Sequence, residues 1–129
     1  MIPTSDLTKA VSEGLAFLQA QEDVEEAEVF VASNGILHTR LNFTSSIPCN
    51  GLEEPKSIEN YGIGVQAVFK GPSTGSGRAG PARRVGFGSE TSDISLSGVQ
   101  SALDKARAGA VSDPEFTSLA RPTGEQRRL

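Results

Sequence analysis

A chain of 129 residues, 36% hydrophobic and 22% charged, has the size and composition of one globular domain with one modest core. Its net charge of −4 does not suit a chain that binds nucleic acid over its whole surface. One cysteine (Cys49) and one histidine (His38) leave no internal disulfide, no multi-cysteine metal site and no histidine pair for zinc.

No apolar run approaches the roughly 20 residues of a membrane span, and MIPTSDLTKA lacks the basic and apolar regions of a signal peptide. A cytoplasmic protein is therefore expected. The charge is uneven: residues 1–60 hold ten acids and three bases, a net of −7, and residues 61–129 hold six acids and nine bases, a net of +3. Much of the acidic excess is EDVEEAE at 22–28, which reads as a solvated helix end and loop.

The spacing of Leu7, Val11, Leu15 and Leu18, with Ala10, predicts a helix over 5–21 that buries one stripe. Thr4 or Ser5 is the expected acceptor for its first N–H groups. In AEVFVASNGILHTRLNF, Val29 and Val31 alternate with Glu28 and Phe30, Asn34-Gly35 intervenes, and Leu37, Thr39 and Leu41 alternate again. Asn-Gly suits a type I′ turn, whose two central residues need positive φ. A hairpin of strands 27–33 and 36–43 is expected, with His38 a structural or solvent-facing residue of the second strand. Residues 44–57, TSSIPCNGLEEPKS, carry two prolines and a second Asn-Gly and read as a loop. Nothing beside Cys49 would lower its pKa, so an inert thiol is expected there.

IENYGIGVQAVF at 58–69 reads as a strand with Ile63, Val65, Ala67 and Phe69 on one face, and RRVGFGSE gives a second strand at 84–90. Between them GSGRAG, at 75–80, has G-x-G-x-x-G spacing. That turn holds a pyrophosphate only when a helix follows it at once. Here Pro81, Ala-Arg-Arg and a strand follow, so the segment reads as a long hairpin loop. Val99, Leu103, Ala106 and Ala110 predict a last helix from Ser95 or Ser97 to Ala110, with Asp104, Lys105 and Arg107 facing water and Ser97 with Gln100 matching a capping box. Asp113-Pro114 then leads to RPTGEQRRL, giving one domain over 1–120 and a linker or tail over 121–129. The order helix, hairpin, loop, hairpin, helix implies a two-layer α+β fold: an antiparallel sheet of two hairpins with an N-terminal and a C-terminal helix.

Four stretches in order, AEVFVASNGILHTRL, YGIGVQAVF, RRVGFGSETSDIS, and ALDKARAGA followed by SDPEFTSLA, resemble the N-terminal domain of the TldD/PmbA family, metallopeptidase-related proteins also called modulators of DNA gyrase. The likeness spans roughly residues 24–120, with an insert at 71–82 longer than the connection usual in the family. Active members of that family are zinc metallopeptidases with an HExxxH-type site. Two imidazoles one helical turn apart hold the metal and a glutamate activates its water. The His38-Thr39-Arg40 stretch has no such spacing. No catalytic, cofactor-binding or metal-ligating residue is therefore assigned, and zinc is expected only in a downstream catalytic domain.

The resemblance implies a non-catalytic domain that packs on a catalytic domain of the same or a partner chain. It would help form a homo- or hetero-oligomer and bound a cavity admitting unfolded peptide. Two other readings stay open. A stand-alone protein- or nucleic-acid-binding module would use the basic loop of Arg78, Arg83 and Arg84, which has no aromatic residue for base stacking. A small enzyme would need a nucleophile, base and orienting group that these residues do not assemble with any specificity. Phe30, Ile36 and Phe43 fall on the opposite parity from Val29, Val31, Leu37 and Leu41. Both faces of the hairpin then carry apolar groups, and self-association through this sheet is expected.

Overall fold

The computed structural model describes residues 1–42, 51–71 and 83–124. Its elements in chain order are α1 (Thr4–Gln19), β1 (Val24–Asn42), β2 (Gly51–Phe69), β3 (Arg84–Thr91), α2 (Leu96–Ala108) and β4 (Val111–Ser112). The strands form one antiparallel sheet in the order β1-β2-β3-β4, and the two helices lie together on one face of it. This is the two-layer α+β arrangement that the order of elements implies.

The first hairpin is not where Asn34-Gly35 suggests. β1 runs unbroken through that dipeptide, with Asn34 opposite Asn60 and Gly35 opposite Glu59 on β2. Gly124 is the one glycine with positive φ among the described residues, so Gly35 does not adopt the turn conformation. The hairpin instead joins β1 to β2, and the second half of the expected loop, from Gly51 onward, is strand. Pro55 is accommodated at a bulge: Glu54 and Pro55 together face Thr39, between the pairs His38–Lys56 and Arg40–Glu53. A proline is tolerated there because the extra residue has no ladder hydrogen bond to lose. A second bulge at Glu25 changes the parity of β1, which is how Val24 and Ala27 both reach the helix side. Phe43, Cys49, Arg78 and the glycine-rich insert at 72–82 lie outside the described residues.

The core sits between the helices and β2, built from Ile63, Val65, Ala67 and Phe69 with Leu18, Val99, Leu103 and Ala106, as the periodicities predict, and with Ala102 added. In α1 the most buried positions are Ala10, Gly14 and Leu18, while Leu7, Val11 and Leu15 are half-buried along its flank. Gly14 sets this rotation, since a methyl group there would lie 3.1 Å from Val99 Cγ2. Neither Thr4 nor Ser5 caps α1; the Pro3 carbonyl accepts the N–H groups of Asp6 and Leu7.

The start of α2 is fixed by a residue outside the expected capping box. Asp93 accepts the Ser95 N–H at 2.8 Å and the Ser97 hydroxyl at 2.9 Å, and these bonds hold its carboxyl below the usual carboxylate range. Arg107 does not simply face water. Its Nε and Nη2 donate to the two oxygens of Asp23 at 2.8 and 3.2 Å, and its guanidinium lies 5.7 Å from the centre of the Phe69 ring. The forked bond depresses the Asp23 carboxyl and ties α2 to the turn before β1.

Beyond the helix, Val111 pairs with Val85, an edge strand too short to be read from periodicity. The chain then crosses to the opposite edge of the sheet. Arg83 Nη2 donates to the Thr117 carbonyl at 2.6 Å, and the Leu119 N–H donates to Glu26 Oε2 at 2.7 Å. Residues Leu119 to Pro122 border Val11, Leu15, Ala27 and Val29, so this strap covers the first part of the free edge of β1.

Gly35 is an extended residue with room beside it: a Cβ added there would meet only Met1 Cε, at 3.6 Å. Gly35→Val is therefore expected to preserve the fold. Urea unfolding of this variant should give a stability unchanged or raised by about 0.5–1 kcal/mol. A type I′ turn at this site would instead make the same substitution strongly destabilising.

Candidate functional site

The alternation of β3 explains what each face of the sheet can do. In Gly86-Phe87-Gly88 the glycines face α2 and the phenyl ring faces away from it. On β2 the phase is inverted: Ile63 and Val65 are buried under the helices, so Gly62 and Gly64 open onto the face opposite. On β1 the same face carries Phe30, Ala32 and Asn34, paired with Gly64, Gly62 and Asn60.

The result is a shallow apolar depression of about 290 Å³ with a glycine floor and two aromatic walls. Phe30 is 67% exposed and Phe87 64%, yet the Phe87 ring comes within 3.4 Å of where a Gly64 Cβ would stand. A methyl group at Gly64 would rest against that ring in van der Waals contact, and a larger side chain would fill the depression. Asn34 and Asn60 close one end, and Ser89 and Thr91 line the β3 side. The surface offers flat apolar contact and neutral hydrogen-bonding groups; Glu90 also borders it, with its carboxylate held by Ser101 and Lys105. It suits a protein surface better than a small polar ligand, which needs convergent charged or polar groups in a deeper cleft.

The residues singled out in the sequence are spread apart. His38 is exposed on β1 in a separate groove with Thr39, Arg40, Lys56 and Ile58. Of the basic loop, Arg83 is engaged by Glu25 at 3.3 Å and by Thr117, so it is tied to the domain rather than presented to a partner. Ile36 lies on the open face of β1, 43% exposed. Phe87, Gly62 and Gly64 carry no functional reading in the sequence alone. Their signal is the pair of phase-inverted motifs Gly-Ile-Gly and Gly-Phe-Gly, which put glycine on opposite faces of adjacent strands.

One polar cluster has the composition of a catalytic group. Ser101 Oγ donates to Glu90 Oε2 at 2.5 Å, and Lys105 Nζ donates to the same oxygen at 2.7 Å and to the Ser89 carbonyl at 3.0 Å. Lys105, first, and Ser101 hold the Glu90 carboxyl below its ordinary range. Both donors are therefore committed to one carboxylate, and Lys105 is paired as a cation rather than free to take the serine proton. The cluster fastens α2 to β3. Among the described residues no group of three His, Cys, Asp or Glu side chains is placed to hold a metal ion, and no described helix is long and apolar enough to cross a membrane.

No protein-family model matches the chain, and neither a curated protein nor a solved structure matches it. The uncovered face is thus the strongest functional feature on which a reading can rest.

If Phe30 and Phe87 serve a partner and not the core, Phe30→Ser and Phe87→Ser should each cost no more than about 1 kcal/mol in urea unfolding. A loss of several kcal/mol would place these rings in the domain's own packing.

Proposed function

We propose that the chain is a non-catalytic, cytoplasmic N-terminal domain of the TldD/PmbA type, which packs through its open sheet face on a zinc-peptidase domain of the same or a partner chain. The observation that carries this reading is the face itself. A sheet covered by helices on one side only, with two exposed phenyl rings over a glycine floor, leaves apolar surface that a second protein surface would bury. The four stretches that resemble the family support the reading in a second way. They supply most of β1, β2 from Tyr61 onward, β3 and the second half of α2, so the likeness falls on the three long strands and the helix packed on β3.

In this role the domain contributes shape and association energy, and the hydrolytic residues belong to the partner domain. An oligomer built this way would enclose the cavity that admits unfolded peptide. The same apolar face would serve a stand-alone protein-binding module, but no exposed basic cluster with aromatic neighbours among the described residues favours a nucleic acid.

The test is metal content together with peptide hydrolysis. After dialysis, elemental analysis of the purified chain should find no stoichiometric zinc, and an unfolded peptide library should remain intact. One tightly held zinc per chain, or turnover of any peptide, would overturn the non-catalytic assignment.

A further inference from the structure

We propose that the open face of the sheet docks an amphipathic, acidic helix of a partner protein. Its apolar stripe would cover the Phe30–Phe87 shelf, and its carboxylates would meet a basic groove at the far end of the same face. The face is graded along β1 and β2. From Phe30 with Gly64, the directly opposed pairs run Ala32 with Gly62, Asn34 with Asn60, Ile36 with Ile58, and His38 with Lys56. No register shift interrupts them, so all of these residues share one face. The surface thus passes from aromatic to amide to aliphatic to basic side chains over about 27 Å, the rise of eight extended residues.

The basic end is a groove of about 390 Å³ lined by His38, Thr39, Arg40, Lys56 and Ile58. Residues 1–60 hold only three lysines and arginines, Lys9, Arg40 and Lys56, with the chain's one histidine. Three of these four basic side chains line this one groove, and all three are exposed. Two basic side chains directly opposed, as His38 and Lys56 are, make an unfavourable cross-strand pair. A carboxylate laid between them would reverse the sign of that interaction. Neighbouring acids do not do so. Glu59 falls on the helix side by alternation and pairs with the N-terminal amine, and Glu28 lies beyond the shelf, beside the strap. Glu53 is the register partner of Arg40, which leaves His38 and Lys56 as the unbalanced pair.

Charge complementarity therefore asks for acidic residues at one end of the partner and apolar ones along the rest. The backbone of the partner must be helical for a separate reason. The shelf offers few hydrogen-bonding groups, chiefly Asn34, Asn60, Ser89 and Thr91. An extended chain laid across it would leave its own N–H and C=O groups unpaired, whereas a helix satisfies them internally. The opposite face of the sheet is covered in this way, by α1 and α2. This docking mode rests on the reading of the open face as a docking surface, but it does not require the partner to be a peptidase domain.

Fluorescence anisotropy on the full chain tests it, with a labelled helical peptide of about 18 residues, long enough to span the face. The peptide carries leucine along one stripe and glutamates confined to one end. At low salt it should bind about tenfold tighter than the same peptide with glutamine for glutamate, and added salt should shrink the difference. Lys56→Glu should remove the preference, and a lysine-ended peptide should restore tight binding to that variant. Phe87→Ser should weaken the glutamate and glutamine peptides alike. Equal binding of the two peptides, both weakened by Phe87→Ser, would overturn the acidic partner and leave the open face as a docking surface. A preference unchanged in Lys56→Glu would overturn the proposal, as would no binding of the glutamate peptide at millimolar concentration. So would a single-stranded oligonucleotide that binds more tightly than the peptide and is lost in Lys56→Glu. Zinc in the purified chain would overturn the peptidase-domain reading and leave this one standing.

Discussion

The contact on which the rest of the structure depends is the seating of α2 directly on the backbone of β3. A Cβ at Gly86 would stand 2.0 Å from the Ala106 carbonyl oxygen, and one at Gly88 would stand 2.0 Å from the Ala102 oxygen. No side chain fits in either place, so the helix lies as close to the strand as two backbones allow. Ala102 and Ala106 meet the glycines, while Val99 and Leu103 reach past them into the core with Val65 and Ala67. Around this dry contact the polar ties fall at the margins: Glu90 with Ser101 and Lys105 on one side, Asp23 with Arg107 on the other, and Asp93 at the helix start.

The same contact divides the labour of the two faces. With glycine turned inward, the alternation of β3 must turn Phe87 outward, and the phase-inverted β2 must place Gly62 and Gly64 beside it. An apolar shelf is thereby produced by the packing of the opposite side. Val68, fully buried yet outside the main cluster, marks where that face ceases to be open. It pairs with Glu26, the residue that receives the Leu119 N–H, so the crossing strap closes the sheet at that end. The domain uses its C-terminal segment to cover one end of a face and the start of an edge, and leaves the rest available.

Much of this is legible in the residues. Helical spacing locates both helices, and the odd-numbered stripe from Ile63 to Phe69 identifies the central strand and its buried face. The Asn34-Gly35 dipeptide misleads when turn chemistry is weighed without parity. A two-residue hairpin there would flip the phase, setting Val29 and Val31 on the same face as His38 and Arg40. The apolar set Val29, Val31, Leu37 and Leu41 instead stays in one phase, which is the mark of an unbroken strand. Residues 51–57 read as loop because Pro55 is not expected inside a strand, and a bulge is invisible until the partner register is known. Asp93 as the acceptor before the helix start and Arg107 as the partner of Asp23 are not marked by helical spacing: one sits just outside the helix, the other is 84 residues distant from its partner. The shelf escapes a linear reading for the same reason, since its residues come from three strands.

The central claim is that α2 touches the β3 backbone through glycine, and Gly88→Ala tests it most directly. Urea unfolding of the variant should lose at least about 2 kcal/mol of stability, because one methyl group must push the helix off the strand. A stability within about 0.5 kcal/mol of the parent chain would contradict the account, for it would mean that space exists where the helix backbone is said to lie.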